Sequence, residues 1–442
     1  MSEKVVPRIL QGFAEFLPKE QILFNKIYDK IRSVYEKYGF LPLDTPTIEY
    51  SEVLLAKAGG ETEKQIYRFL KGDNDLSLRF DLTVPLARYV SMHENDLAFP
   101  FKRYQMSKVF RGERPQKGRF REFYQCDIDI IGAEDLPLIY DAEMPAVICD
   151  VFKTLDIGDF TIRINNRKIL GGFFSSLGLE EKITDVLRII DKLEKIGADG
   201  VKKELSEIGA DSNTIEKILS FVEIGGDTNS VIEKLNSLEI ENDTFKCGVN
   251  ELSEVVKYMR AFGVSDTNFK IDLTIARGLD YYTGTVYETM LNDYPKLGSV
   301  CSGGRYDNLT GYYTDKKMPG IGISIGLTRL FSQLLDAGVI KTDEGSLAQV
   351  LIIPMNSSVF DAALKTASAM RNAEIKTDVY LLEKGMKPKM KYADRLGIHF
   401  AAIIGEDEVK NGVISLKDMK NGGEQLSLPV EEAIEYIKSK KL

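Results

Sequence analysis

Tryptophan is absent from the 442 residues, histidine occurs only twice, at His93 and His399, and the four cysteines, Cys126, Cys149, Cys247 and Cys301, stand far apart. Two isolated histidines make a histidine-based metal site a poor reading, and each reads as a structural or surface residue. No C-x-x-C occurs, so neither a zinc site nor a disulfide framework is indicated. No run of 18 apolar residues exists, which excludes the pattern of a membrane-spanning helix. The N-terminal MSEKVVPRIL also lacks the apolar run of a secretory signal. A reducing, cytoplasmic setting fits these absences. Positive charge is in deficit as well: 58 Lys and Arg against 67 Asp and Glu leave a net charge of −9, which argues against a general nucleic-acid binder. The deficit is uneven. The last 98 residues carry 14 basic and 13 acidic side chains, so the acidity belongs to the preceding part of the chain. Phosphate contacts are local, and an acidic body can still hold a polyanion through patches.

What is present begins with an ordinary globular balance, 43% hydrophobic and 28% charged, at a length that suggests about two to four domains. The most informative stretch is Val109 to Gly132, VFRGERPQKGRFREFYQCDIDIIG. Lys108-Val109-Phe110 reads as the end of one strand and Phe123 to Ile131 as the next. Alternation puts Phe123, Gln125, Asp127, Asp129 and Ile131 on one face, and Tyr124, Cys126, Ile128 and Ile130 on the other. The second is a plain core face; three polar side chains on the first are unusual for a half-buried strand. Arg111, Arg114, Lys117, Arg119 and Arg121 occupy the loop between. Such a hairpin suits a polyanion held above an ammonium or imidazole group; a surface hairpin with solvated charges is the plainer alternative.

Upstream, Ile22, Leu23, Ile27, Ile31, Val34 and Tyr35 keep helical spacing over about Lys19 to Tyr38, with Gly39 as the stop. A strand over Phe40 to Asp44 then meets Thr45-Pro46. Leu76, Leu78 and Phe80 alternate as a strand and Pro85 opens a helix. Asp81, Leu82 and Thr83 stand at the junction, where a carboxylate and a hydroxyl suit either an N-cap or an ammonium with three donors. A helix over Leu138 to Thr154 and a strand over Phe160 to Asn165 follow. Residues 177–262 are charge-rich and helical, broken at Gly197, Gly209 and Gly225-Gly226. Phe269 to Ala276 and Thr285 to Met290 read as strands around Arg277 to Tyr282. SVCSGGRYD, Ser299 to Asp307, reads as a Gly-Gly turn between strands. Pro319 to Gly326 is a glycine-rich strand, leading into a helix from Leu327 that carries Arg329. That junction suits close packing, a nucleotide against backbone, or both. In the tail, strands at Val350 to Pro354, Lys376 to Tyr380 and Phe400 to Ile404 alternate with helices at Phe360 to Arg371 and Met386 to Leu396. This order predicts a small parallel-sheet α/β domain.

FRGERPQKGRFREFYQCD and ARGLDYYTGTVYE together resemble the class II histidyl-tRNA synthetases, the first as motif 2 of the class and the second as the family's own signature. PGIGISIGLTRL resembles motif 3, and the opening helix, strand and proline resemble motif 1. Glu15 stands where the family's lead-in has Asp, and Ser302 and Asn308 stand at usual glycine positions. The resemblance implies an α/β fold class: an α+β catalytic domain with an antiparallel sheet flanked by helices, a helical insertion, and a C-terminal α/β anticodon-binding domain. The implied domains are residues 1–176 (catalytic, motifs 1 and 2), 177–262 (helical insertion), 263–334 (catalytic, signature and motif 3), 335–348 (linker) and 349–442 (anticodon-binding). The insertion implies contact with the tRNA acceptor arm; a purely structural helical subdomain is the alternative for that segment.

The resemblance also implies a reaction. Histidine's carboxylate attacks the α-phosphorus of ATP, pyrophosphate leaves, and the terminal hydroxyl of tRNA(His) takes the acyl group and releases AMP. The implied partners are L-histidine, ATP, tRNA(His) and a second copy in a homodimer, with no membrane. Mg²⁺ arrives with ATP, with no dedicated protein metal site and no tightly bound cofactor. By motif position, Arg111 and Arg277 serve the reacting carboxylate and α-phosphate, Arg119 and Arg329 the terminal phosphates, and Glu113 the adenine. Asp81, Leu82, Thr83 and Gln125 take the amino and carboxylate end of histidine, Asp129 and Tyr282 its two ring nitrogens, and Tyr281 and Tyr306 wall the site. The nearest rival is the synthetase-like regulatory subunit of ATP phosphoribosyltransferase, which shares the catalytic fold but typically lacks the tail. A pseudoenzyme or RNA-binding protein on the same scaffold would be marked by loss of ATP-site arginines, and this chain keeps them.

Overall fold

The computed structural model describes residues 4–56, 61–114, 118–275, 281–342, 345–420, 422 and 425–440. The chain divides into two units, Met1–Ala14 with Tyr28–Val339, and Glu15–Ile27 with Ile340–Leu442. In chain order the first unit contains β1 (Leu41–Pro42), β2 (Ile48–Tyr50), β3 (Arg68–Lys71), β4 (Asn74–Leu78), β5 (Phe101–Phe110), β6 (Glu122–Ile131), β7 (Phe160–Asn166), β8 (Phe269–Ile271), β9 (Thr285–Leu291), β10 (Cys301–Tyr306) and β11 (Gly320–Gly326). One sheet has the order β1-β5-β6-β11-β10-β9-β7-β8, and a smaller one has β2-β4-β3. Pairing from β5 through to β7 is antiparallel. Only the marginal pairs, β1 with β5 and β7 with β8, are parallel.

The alternation read from the sequence becomes the two faces of this sheet. In register, Cys126, Ile325 and Cys301 form one row across β6, β11 and β10, and Ile130, Ile321 and Arg305 form another. These rows make the core face. Tyr35, from the helix Pro18–Lys37, donates to the Cys126 carbonyl at 3.0 Å. The helix Ile139–Leu155 docks through Asp141, which is fully buried and takes the Arg305 guanidinium (Nη2 to Oδ2 2.6 Å, Nε at 3.1 Å). Tyr287 donates to the Asp141 carbonyl at 2.6 Å. The opposite rows, Gln125 with Gly326, Asp127 with Ser324 and Ser302, and Asp129 with Gly322 and Gly304, are the polar face.

The structure corrects several readings. Gly303 and Gly304 do not form a turn; they lie inside β10. An added Cβ on Gly303 would sit 2.1 Å from the Gly322 carbonyl oxygen, so the absent side chain lets strands close up. β8 stops at Ile271 because Asp272 turns the chain, accepting from the Thr274 amide at 3.1 Å and hydroxyl at 2.6 Å. Residues 177–262 hold the helices Ile183–Ile190, Leu193–Glu207, Ser212–Val222, Thr228–Ser237 and Asp243–Ala261. Asp211, Asp227 and Asn242 cap three of them.

In the second unit, β12 (Val350–Pro354), β13 (Thr377–Val379), β14 (Phe400–Ile404), β15 (Ile414–Asp418) and β16 (Gln425–Leu428) form a sheet of order β13-β12-β14-β15-β16. β12 pairs parallel with β13 and β14, as its strand–helix alternation requires. The sheet is nevertheless mixed, because β15 runs antiparallel to both neighbours. Val350, Ile352 and Phe400 pack on one face and Leu351, Ile353 and Ala401 on the other, so both faces are core.

Arg305→Ala would strand the buried Asp141 carboxylate. The expected loss is about 3–5 kcal/mol in the urea transition of the first unit. A loss below about 1 kcal/mol would show that water replaces the guanidinium.

Candidate active site

A cavity of about 450 Å³ opens on the polar face of the large sheet. β6 supplies Gln125, Asp127 and Asp129. β11 supplies Gly322, Ser324 and Gly326, and β10 supplies Ser302 and Tyr306. Asp81 and Thr83 come from the start of the helix Thr83–His93, and Tyr281 and Tyr282 precede β9. Asp81 stands one residue before the N-cap, Leu82, and its carboxylate accepts from the Val84 amide of the first turn at 3.0 Å. One carboxylate therefore serves the helix start and lines the cavity. Leu82 points into the core, fully buried; only its carbonyl takes part, accepting from Arg103 at 3.2 Å. Tyr281 and Tyr306 pack with Val84, Leu86 and Val90 in one apolar cluster. Their rings meet edge-on at 5.8 Å, and those of Tyr281 and Tyr282 at 4.9 Å.

The deepest part is an ion pair that sequence reading missed. Arg103, on β5, is fully buried, stands opposite Asp129 in the β5–β6 register, and holds Asp129 Oδ2 at 2.6 Å. Tyr306 donates to Oδ1 at 2.7 Å. Both oxygens of the carboxylate expected to face a ring nitrogen are thus engaged. Gly322 makes this possible, since an added Cβ would lie 2.1 Å from Asp129 Oδ1. Gln125 donates to the Ser324 hydroxyl at 2.7 Å, and Ser324 in turn bonds Asp127. Gln125 Oε1 and Asp127 Oδ1 remain buried without a donor among the described residues. Burial, with Asp129 nearby and against the pull of Arg103, pushes the Asp127 carboxyl up to about 7. Burial likewise raises Asp129 to about 6, with Arg103 and Tyr306 opposing. Burial also raises Asp81, against its bond to Val84 and the charge of Arg111.

Arg111, at the end of β5, stacks its guanidinium 4.4 Å from the Phe80 ring centroid and 5.2 Å from that of Phe123, and Nε donates to the Phe80 carbonyl at 3.2 Å. The fork is held rigid at the cavity rim. Arg119 lies farther out, more than half exposed, 3.5 Å from Glu113. Arg329, on the helix Leu327–Asp336, lines the far wall and donates to the Leu297 carbonyl at 2.8 Å. Arg277 and Lys117 lie outside the described residues. The sequence signal for Arg103 was weak: one arginine in FKRYQMSKVF, distinguished only by the register that sets it against Asp129.

Comparison with known proteins places this geometry among relatives. The family model described as Histidyl-tRNA synthetase matches residues 12–330, and that described as Anticodon binding domain matches residues 349–440. The chain is 60% identical to a histidine–tRNA ligase of Clostridium tetani, over 98% of this chain and 99% of that one. It is similar to the crystal structure of histidyl-tRNA synthetase from Nostoc sp. PCC 7120, at 46% identity and a TM-score of 0.91, covering 99% and 100% of the two chains. A structure from Bacillus halodurans, described as an ATP phosphoribosyltransferase regulatory subunit/histidyl-tRNA synthetase, shares the fold at 21% identity and a TM-score of 0.76, covering 91% of this chain and 99% of that one.

A carboxyl raised in the folded state binds its proton more tightly there, so it costs stability once ionised. The cost is absent below about pH 4 and complete above about pH 7. Asp127→Asn removes it. The stability of the variant minus that of the parent, from urea unfolding without ligands, is expected to grow by on the order of 4 kcal/mol across that window. A flat difference would show that Asp127 stays ionised throughout.

Proposed function

The chain belongs to the histidyl-tRNA synthetase family, and from that premise we propose how its cavity serves a histidine–tRNA ligase. The protein activates L-histidine with ATP to histidyl-adenylate and transfers the histidyl group to the 3′ end of tRNA(His), releasing AMP and pyrophosphate. The observation that carries the site assignment is the cavity's polarity. Buried acceptors stand at Asp81, Gln125 Oε1 and Asp127 Oδ1, Arg111 lies close to Asp81, and Arg119 and Arg329 line the same cavity. An amino acid rich in N–H donors suits the acceptors, and its carboxylate and a triphosphate suit the arginines.

Both nucleophiles belong to the substrates, so the protein supplies position and charge. Asp81, Thr83 and Gln125 hold the ammonium, and Arg111 the carboxylate and α-phosphate. Arg111 is suited to this because two aromatic rings fix its planar fork before anything binds. Arg277 is assigned to the α-phosphate by its place in the family signature. Arg119 and Arg329 take the terminal phosphates and Glu113 the adenine. Tyr282 and Asp129 face the ring. Mg²⁺ enters as part of the nucleotide. The described residues contain no group of three or more side chains suited to a metal; among the carboxylates of the cavity wall, Glu288, partly exposed and given no other task, would meet the ion. Bound there, it would screen phosphate charge.

The second unit reads the anticodon arm, and the helices of residues 177–262 meet the acceptor arm. Two copies pair through β1, β2 and β3, whose Leu41, Ile48, Tyr50, Phe69 and Leu70 are exposed apolar side chains. Paired, they would be covered. The rival regulatory role shares the fold, and the Bacillus chain spans most of this one. A tail therefore separates the two readings poorly. The 60% identity to a ligase and the intact cavity favour catalysis.

ATP–pyrophosphate exchange without tRNA, run with each of the twenty amino acids, is expected with histidine alone. No exchange in a folded, ATP-binding protein would favour the regulatory role. Asp129→Asn should raise the histidine KM about tenfold or more while moving the ATP KM less than about twofold. An unchanged histidine KM would remove Asp129 from the ring site. Sedimentation equilibrium should return about twice the 49.7 kDa chain mass; a monomer mass would refute the pairing.

A further inference from the structure

Arg103 has no task in the reaction as proposed above, yet two elements of the site hang on one of its nitrogens. It is fully buried on β5 and does not line the cavity, so it acts there only through other side chains. Nη2 donates to Asp129 Oδ2 at 2.6 Å and to the Leu82 carbonyl at 3.2 Å. Asp129 lines the cavity, and so do Asp81 and Thr83, the neighbours of Leu82. An Nη group has two hydrogens, and these two acceptors take one each. Nε and Nη1 are buried with no acceptor among the described residues. A guanidinium with most of its hydrogen bonds unmade is a costly way to fill a core, where an apolar side chain of similar volume packs as well or better.

Its charge accounts for that cost. Burial raises the Asp129 carboxyl, and Arg103 is the largest influence holding it down, ahead of the Tyr306 hydroxyl. The groups that face Asp129 are Arg103 from β5, Asp127 from its own strand, Tyr306 from β10, Tyr282 from the loop before β9, and Asp81 from the helix start. Gly322 of β11 has no side chain to add. Among these described groups Arg103 is the cation, and it offsets the charge of Asp127 as well.

Resting on the histidine reading of this cavity, we propose that Arg103 is a positioning residue for histidine specificity: its guanidinium holds Asp129 ionised, and in place beside the Asp81–Thr83 element, as the acceptor for the substrate ring. An ionised carboxylate only accepts, so a ring N–H satisfies it; a protonated one brings a donor of its own. Without the guanidinium, three buried carboxyls share one region with less opposing charge, and taking up a proton is the cheapest response.

The test is ATP–pyrophosphate exchange with histidine at saturating ATP, between about pH 6.5 and 8.5, in the parent, Arg103→Met, Asp129→Asn and the double variant. The kcat/KM of each Arg103 variant is divided, at each pH, by that of the form it derives from. The titration of free histidine and the charge of Arg277, which lies outside the described residues, then drop out. Arg103→Met raises the Asp129 carboxyl further, so the loss is expected to be greatest at the acid end and to shrink about tenfold or more toward the alkaline end. The ATP KM is expected to move less than about twofold. In the Asp129→Asn background the same substitution has no carboxyl at that position to act on, and its ratio is expected to be flat with pH. A flat ratio in the parent background would leave Arg103 a structural residue and overturn the proposal, and a slope that survives in the Asp129→Asn background would overturn it too. Should Arg103→Met fail to fold, Arg103→Gln, which keeps a donor without the charge, takes its place; if neither folds, Arg103 is structural and the proposal fails. The underlying reading fails differently: the parent shows no histidine-dependent exchange, or Asp129→Asn leaves the histidine KM unchanged.

Discussion

The buried pair of Arg103 and Asp129 is the constraint on which the cavity depends. Neither charge tolerates the interior alone, and each is there because β5 and β6 pair in one register that sets them opposite. Shifting that register by one residue would send the polar face of β6 into the core and Ile128 and Ile130 into the cavity. Gly322 on β11 and the Tyr306 hydroxyl on β10 complete the cage around the carboxylate. Four adjacent strands thus converge on a single side chain, and strand packing and site geometry are the same requirement.

A second constraint runs through the other face of the same strands. Arg305 sits on β10 next to Tyr306, so it points away from the cavity and into Asp141. One dipeptide therefore anchors the helix Ile139–Leu155 on one side and the cavity wall on the other. Thr283, donating to Asp307 at 2.5 Å, ties the loop carrying Tyr281 and Tyr282 to the end of the same strand. The aromatic wall is held by the sheet on which it stands, which is how a site made of separated segments becomes rigid before substrate arrives.

The distribution of charge fits the division of labour between the units. The acidic surplus belongs to the part of the chain that carries the cavity, where Asp81, Asp127 and Asp129 are buried, while the last 98 residues are nearly neutral. Net charge said little about local patches, because the arginines at the cavity, Arg111, Arg119 and Arg329, are few and gathered there by the fold.

The sequence by itself determined the faces of the strands and the order of the elements, because alternation and helical spacing are local properties of the chain. It showed the basic hairpin, the Asp81-to-Thr83 junction at a helix start, the glycine-rich strand before Arg329, and the strand–helix alternation of the tail. It also carried the motifs that tie the chain to its family. Tertiary structure alone decided which local features meet. Gly303 and Gly304 looked like a turn, since glycine permits both a turn and a close approach, and only the neighbouring strand tells which. β15 and β16 turned a parallel sheet into a mixed one through pairings between distant segments. Arg103 was one cation among 58 until cross-strand register set it against Asp129. Register is a relation between two strands, and no single strand contains it.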